Sequence, residues 1–416
     1  MTMQERAITV VGAGIVGVCS ALYLQEKGFR VQILDRTPEG EMRASAGNAG
    51  ILSPWSCVPE SVPGLWRSVP GWLLDPLGPM VIRPDHLLKL APWLVRFLLA
   101  GRRSRIPGLA NALRALYAPT VDLYEALLRG TPDTGLVRRC VYLHVFRRAG
   151  PVDLEGLGWR LRRERGARLD LLTGDELREI EPDISPDFNS GVMIHGQGRA
   201  TDPSRLLHVL TRRFLHQGGK LRRADVQGLL PSPDGSVTLQ TNMGDIHAPK
   251  LVVAAGAWSA CLLKPLGIHI PLESQRGYHL MLKDPGVSLT HTVMDADRMI
   301  AANMMEGGLR LAGTVELAGL TAKADYTRSR NLGVIGRQLF PRLNTGSAAE
   351  WMGHRPSLPD SLPVIDRAPG HPQILLAFGH SHLGLAGGAP TGRLIARLAA
   401  DEPPGLDLTP YRATRF

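Results

Sequence analysis

Four cysteines, Cys19, Cys57, Cys140 and Cys261, are spread over 416 residues with no C-x-x-C pair. That spacing excludes a thiol redox pair and a zinc site of the usual kind, and no other metal site is expected. Cys19, inside an apolar segment, reads as a small buried hydrophobe. Aromatic residues are only 5% of the chain, and the formal charge of +10 is carried mostly by arginines scattered along it. Nucleic acid is therefore not an expected partner, because that function wants a basic stripe with interleaved aromatics. Attraction to anionic ligands or to an anionic membrane surface fits the charge, as does plain arginine-rich usage. No stretch reaches the ~18 uninterrupted apolar residues of a membrane span. The opening Met1–Arg6 runs straight into a β-branched segment and leaves no room for a signal peptide, so a cytoplasmic location is expected. What remains, 44% apolar and 21% charged residues, is a globular composition long enough for two or three structural units.

The most informative segment is Val10-Val11-Gly12-Ala13-Gly14-Ile15-Val16-Gly17, which follows the run Ile8-Thr9-Val10-Val11. The spacing predicts a strand, a glycine turn and a helix over about 15–27 closed by Gly28. A second strand over 31–34 then delivers Asp35. Gly12 permits the tight turn, Gly14 lets backbone N–H groups approach a pyrophosphate, and Gly17 lets helix and strand pack closely. An acid at the tip of the second strand is placed to accept from a ribose hydroxyl. Strand, glycines, helix, strand and acid in register make a dinucleotide site. The next segment, Arg43-Ala44-Ser45-Ala46-Gly47-Asn48-Ala49-Gly50-Ile51, offers many N–H donors and little bulk, suited to lying against a flat ring or a diphosphate.

From Trp55 to about Leu99 the chain is rich in proline, leucine and tryptophan. Its segment 86–99 is apolar with Lys89 and Arg96 one heptad apart, and Arg102, Arg103 and Arg105 follow. Such a helix could lie in a membrane interface with its basic groups at the head groups, or be buried against the body of the protein. Burial is the more ordinary expectation. Another helix is expected over 113–128, a strand over 137–146, a basic helix over 152–165 and a helix over 203–217 closed by Gly218-Gly219. Strands are expected over 221–226, 237–241 and 251–255. The chain reads as α/β with an added strand-rich part.

The run Leu251-Val252-Val253-Ala254-Ala255-Gly256-Ala257-Trp258 is a buried strand closing on small residues. Its return to the nucleotide more than two hundred residues after the first fits FAD, held at its ADP end by the N-terminal unit while distant segments assemble around the flavin. Near the C-terminus a strand over 374–378 leads through Gly379-His380-Ser381-His382 into a glycine-rich helix from about Gly384 to Ala399. Free N–H groups at that helix start would favour the anionic reduced ring. Arg355, bracketed by rigid residues, can grip a carboxylate at two points.

These segments, in this order, resemble the FAD-dependent D-amino-acid oxidase superfamily, most closely its D-amino-acid dehydrogenase branch. The resemblance rests on Gly12–Gly17, Asp35-Arg36, Ser45–Gly50, Ala254–Trp258, Arg310–Glu316, Gly353–Pro356 and Gly379-His380, and covers nearly the whole chain. It implies a Rossmann-type FAD-binding domain of the glutathione-reductase kind (1–60, 196–265 and 345–416). An α+β substrate domain on a mostly antiparallel sheet would take 61–195 and 266–344, with the Pro/Leu-rich insertion at about 55–105. The FAD-binding residues it implies are Gly12, Gly14, Ile15, Val16, Gly17, Asp35, Arg36, Ser45, Asn48, Ala49, Gly50, Val226, Ala255, Gly256, Trp258, Gly379, His380 and Gly384. Arg355 would hold the substrate carboxylate, and His382 and Tyr278 would border the reacting carbon. No cysteine lies in the C-terminal segments, so non-covalent FAD is expected.

The implied reaction is oxidative deamination of a D-amino acid or a cyclic imino acid, hydroxyproline among the candidates, by hydride transfer from Cα to flavin N5. Electrons would pass to a quinone or another acceptor, at the inner face of the cell membrane if the insertion meets lipid. The alternatives are an oxygen-using glycine or sarcosine type of oxidase, and a flavin subunit that works only with partner subunits.

Overall fold

The computed structural model describes residues 6–37 and 43–416. The strand Ala7–Val11 lies at the centre of a six-stranded sheet and pairs in parallel with Arg30–Asp35 on one side and Leu251–Val253 on the other. Lys220–Arg223 extends the sheet beyond Arg30–Asp35, and His371–Phe378 and Val364–Ala368 extend it at the opposite edge. Only the Val364–Ala368 pairing is antiparallel. This is the doubly wound arrangement that the glycine turn required.

The helix Ile15–Glu26 has buried residues nearly all round because it is covered twice. One side faces the sheet, and the other meets the helices Pro203–His216 and Gly384–Ala399 in one apolar core. The crossing with the last helix is tight: a Cβ at Gly392 would stand 2.6 Å from the Cys19 carbonyl carbon. Cys19 is fully buried at that crossing.

A second, ten-stranded mixed sheet carries much of the other side of the molecule. In it Glu273–Leu282 runs antiparallel between Ala348–Ser357 and Gly308–Leu317. A separate apolar core lies between this sheet and the helix Thr327–Leu339. The expected division at 60/61, 195/196 and 344/345 does not follow the sheets. Ile51–Leu52, the whole of Ser190–Ala200 and Ala348–Ser357 all belong to the ten-stranded sheet. The 195/196 boundary falls inside Ser190–Ala200, and a cut inside one strand cannot separate two cores.

Other boundaries differ for local reasons. The helix expected over 113–128 is two, Ile106–Tyr117 and Thr120–Leu128, because Pro119 has no N–H to continue the first and caps the second. The helix expected over 152–165 is confined to Leu157–Glu164. The strand expected over 221–226 is two: Lys220–Arg223 ends where Ala224 donates to the Asp35 carbonyl at 2.9 Å, and Val226–Pro231 begins a three-stranded antiparallel sheet.

The insertion departs most from expectation. Its helix Leu87–Ala100 buries only Leu90, Trp93 and Ala100, so burial against the body of the protein describes one stripe of it. Leu88 is 89% exposed, Leu74 83% and Trp66 60%, and Leu73, Leu87, Val95, Leu98 and Leu99 are exposed too. No helix among the described residues is long and apolar enough to cross a membrane.

Candidate active site

A single cavity of about 1480 Å3 runs from the glycine turn to Arg355 and His382. Ligand sites for one small molecule usually span roughly 300–1,000 Å3, so this one has room for a dinucleotide and a second molecule. At its first end Gly12 adopts φ +108°, and a Cβ there would come within 2.3 Å of the Ala254 carbonyl oxygen. Gly14, Ile15, Val16, Asp35, Arg36, Val226, Ala255, Gly256 and Trp258 all line this end. Three predicted glycines do not line the cavity. A Cβ at Gly17 would lie 1.9 Å from the Gly12 carbonyl oxygen, one at Gly50 2.5 Å from that of Ala200, and one at Gly379 2.3 Å from Leu358. Close packing, against backbone at Gly17 and Gly50 and against the Leu358 side chain at Gly379, accounts for these glycines, and spacing alone cannot distinguish it from ligand contact.

Asp35 accepts from Ala13 N–H at 2.6 Å and from Thr37 N–H at 2.8 Å. Arg43 Nη2 adds a third bond at 3.5 Å, and since a carboxylate has about four acceptor sites, one remains for a ribose hydroxyl. Arg36 lies over the Trp258 ring at 3.8 Å, closing the wall. Ser45 Oγ accepts from Ile15 N–H at 3.0 Å and so ties the glycine-rich loop to the first turn of the helix.

The loop carbonyls are held from the large sheet by residues to which the sequence assigned no role. Arg310 donates to the carbonyls of Ala46 (3.2 Å) and Asn48 (2.5 Å), Asn303 to that of Ala49 (2.9 Å), and His279 to that of Gly47 (2.9 Å). His279 also stacks on Trp351 at 4.9 Å, and burial pushes its imidazole down to about 3, so it is neutral. Asn48 Nδ2 donates to the His382 carbonyl, joining the loop to the C-terminal segment. With the loop carbonyls engaged, Ser45, Asn48 and Ala49 line the cavity.

At the other end the last helix opens at Gly384 with no capping side chain and no acid in its first turn, and Gly384 lines the cavity. His380 lines it too, but its Nε2 is 2.8 Å from Thr391 Oγ1, and burial pushes its imidazole down to about 3. It packs the helix and carries no charge.

Arg355 reaches the cavity from Ala348–Ser357. It donates to the carbonyls of Thr314 (2.9 Å) and Gly313 (3.3 Å), and no carboxylate pairs with it among the described residues. Two consecutive carbonyls can point its way because Gly308–Leu317 bulges there, with Thr314 at φ +56°. The guanidinium is thus oriented without direct contact to a carboxylate, although the nearby Glu60 favours its charge. Burial lowers its pKa, although an arginine remains charged at neutral pH.

Tyr278 lines the same cavity, but its hydroxyl is turned away from Arg355. Side chains alternate along Glu273–Leu282, and the face that carries Gln275, Gly277 and His279 is the one that meets Arg355. Tyr278 points to the other face, where its hydroxyl donates to Glu316 at 2.5 Å and accepts from Asp325 N–H at 3.1 Å. Its ring borders the cavity while its hydroxyl is spent on these two bonds. The alternation was legible in sequence once one residue of the strand had been assigned.

His382 does face the cavity, with its side chain 53% exposed. Its Nδ1 donates at 2.9 Å to Glu60, a carboxylate that sequence inspection passed over because it sits in a proline-rich loop without a motif. Burial pushes the Glu60 carboxyl up, but His382 and hydrogen bonds from Gln275 and Ser381 outweigh it, and the net shift is downward.

The family model described as FAD-dependent oxidoreductase of the DAO type matches residues 7–398. The chain belongs to that family. A protein of Bradyrhizobium diazoefficiens named D-amino-acid oxidase is 41% identical over 99% of both chains. One of Chromohalobacter salexigens named D-amino acid dehydrogenase is 30% identical over 98% of this chain and 100% of its own. Among solved structures, glycine oxidase of Geobacillus kaustophilus superposes with a TM-score of 0.73 at 21% identity, covering 98% of each chain. Iminodiacetate oxidase of a Chelativorans species gives 0.72 at 22% identity, covering 97% and 98%. The protein is an FAD-dependent oxidoreductase, and its residues fit that cofactor. The cradle at Gly12 is one a Cβ would fill, the loop 45–49 has its carbonyls tied away, and the Gly384 helix start lacks a cap.

Proposed function

We propose that this chain carries out FAD-dependent oxidative deamination of a D-amino acid or a cyclic imino acid such as a hydroxyproline, the FAD being held without a covalent bond. The observation that carries the reading is Arg355: a guanidinium oriented by two carbonyls, charged, without a carboxylate partner, inside the cavity that also holds the dinucleotide cradle. FAD, when bound, supplies the hydride acceptor. Arg355 would fix the substrate carboxylate at two points and so limit the orientations of Cα–H, an effect of position rather than of acid–base chemistry. The imine product is then hydrolysed by water to a keto acid and ammonia.

For the acceptor, the insertion supports a quinone. Trp66, Val69, Trp72, Ile82, Phe97 and Leu98 form an apolar wall of the same cavity. The outer side of that insertion exposes Leu74, Leu88 and Val95 beside the exposed cations Lys89, Arg96, Arg102, Arg103 and Arg105. An apolar patch rimmed by basic groups suits the head-group region of an anionic membrane, which here would be the inner face of the cell membrane. A second reading, oxygen as acceptor, is favoured by the name of the Bradyrhizobium relative.

The test is anaerobic mixing with a panel of D-alanine, D-proline, cis-4-hydroxy-D-proline, glycine and sarcosine, followed by air or a soluble quinone. Bleaching of the flavin by at least one D-amino or imino acid is the expected result. Fast recovery with quinone and slow recovery in air favours the dehydrogenase. Failure of every amine to bleach it removes the proposal.

A further inference from the structure

Next to the carboxylate-binding arginine stands a second polar unit with no assigned role. Gln275 is the cross-strand neighbour of Arg355, and its Nε2 donates to Glu60 Oε2 at 2.9 Å. Ser357 Oγ donates to the same oxygen at 3.5 Å, and Glu60 N–H donates to Ser361 Oγ at 2.9 Å. The other carboxylate oxygen accepts from His382 Nδ1 at 2.9 Å. Glu60 is thus held by four groups, with its side chain only 17% exposed.

A carboxylate can only accept, so the hydrogen of a neutral His382 ring sits on Nδ1 and the lone pair on Nε2. Nε2 has no hydrogen-bond partner among the described residues, on a ring that lines the cavity. An orienting acid behind a histidine whose second nitrogen is free is the arrangement of a general base.

We propose that His382 takes a proton from the substrate's ammonium group, with Glu60 as its positioning residue, so that the amine is neutral when hydride leaves Cα. The inference rests on the amino-acid reading above. In the step, an N–H bond of the ammonium breaks, its electron pair stays on the amine nitrogen, and the proton bonds to Nε2. The resulting imidazolium is paired with the Glu60 carboxylate. The amine lone pair is then free to stabilise the electron-poor carbon as the hydride departs. An ammonium has no such pair, which is why the proton must go first.

Other ionisable groups near the pair do not compete for the proton. Arg355 stays charged. His354 is bonded through Nδ1 to Ser274 Oγ at 2.8 Å, and burial pushes it down to about 4. His380 is neutral, and burial drives the Tyr117 hydroxyl far upward.

The experiment is the rate of anaerobic flavin reduction against pH for the holoenzyme, Glu60→Gln and His382→Gln. The probe is whichever of D-alanine, D-proline, cis-4-hydroxy-D-proline and glycine reduces the wild type fastest. His382→Gln should be slower by about 100-fold at pH 7, a usual worth of a positioned base. Its deficit should shrink as pH rises through the substrate's own amine titration. Glu60→Gln should lose on the order of tenfold, within the range for one positioning contact to a base. In nitrogen-15 spectra of histidine-labelled enzyme, it should also release the neutral His382 ring from the Nδ1–H tautomer, since the carboxylate is what holds the hydrogen there. A deficit that is the same at every pH, or none at all, overturns the inference. So does an unchanged His382 tautomer. Flavin content and melting temperature check folding. Should His382→Gln lose its flavin, the Glu60→Gln profile and tautomer decide. A wild type that no probe reduces instead removes the amino-acid reading itself.

Discussion

The Arg355 guanidinium lies over Gly277 of the neighbouring strand, at a spot where a Cβ would stand 2.2 Å from its central carbon. The arginine can lie flat in the cavity only because that position has no side chain. Gly277→Ala should therefore move the guanidinium without removing it. The expected result is an increase of about tenfold or more in KM for the amino acid with kcat less affected, as for a displaced binding group. Flavin content should be unchanged, and the check is steady-state kinetics beside the visible absorbance of the purified protein.

Arg355→Lys should cost more. Two charge-assisted hydrogen bonds to a carboxylate become one from a mobile ammonium, and the carbonyls of Gly313 and Thr314 no longer orient it. A loss on the order of 100- to 1,000-fold in kcat/KM is expected, equivalent to about 3–4 kcal/mol. A loss below about threefold would mean that the carboxylate is bound elsewhere.

Gly12→Ala tests the cofactor end. The new methyl would meet the Ala254 carbonyl oxygen at 2.3 Å, and the backbone is held at φ +108°. The variant should purify with little FAD and a melting temperature lower by several degrees, given a strain of about 1–3 kcal/mol. Full flavin occupancy would sink the assignment of this turn.

The insertion predicts lipid contact. Leu74→Glu together with Leu88→Glu places two acids on the exposed apolar face, away from the cavity lining. Co-sedimentation with phosphatidylglycerol vesicles should fall by about tenfold or more, since each substitution removes an apolar contact and adds repulsion. Anaerobic flavin reduction in solution should stay within about twofold, as is usual for surface changes. Wild-type protein that ignores such vesicles would leave oxygen as the better reading of the acceptor.

Acid should unfold the holoenzyme through its buried histidines. His279 and His380 are each held at about 3 in the folded state, against about 6.5 in an unfolded chain. Above pH 6.5 both states are neutral and the residues contribute no slope. Below it the unfolded chain binds the protons and the folded one does not, so stability falls down to about pH 3. Each residue should contribute about 1.4 kcal/mol per pH unit in that window. Denaturant titrations between pH 7 and 4 measure this, and His380→Gln should remove about one proton from the slope.

Local chemistry decided much of this protein from sequence. The glycine turn, Asp35 and the Gly28 stop follow from backbone sterics within a few residues, so their elements are legible to within a residue or two. The strand 137–146 and the helix start at Gly384 were legible for the same reason. Pro119 was visible too, and its missing N–H should have divided the helix there. What no local rule determines is which face a strand residue takes and which distant segment stands opposite. Glu60 meets His382 across more than three hundred residues, Tyr278 turns away to Glu316, and Arg310, Asn303 and His279 hold a loop from another sheet. Gly17, Gly50 and Gly379 match a motif yet serve packing. The exposure of the insertion likewise depends on what fails to cover it. These are properties of chain crossing and burial, and only the tertiary structure decides them.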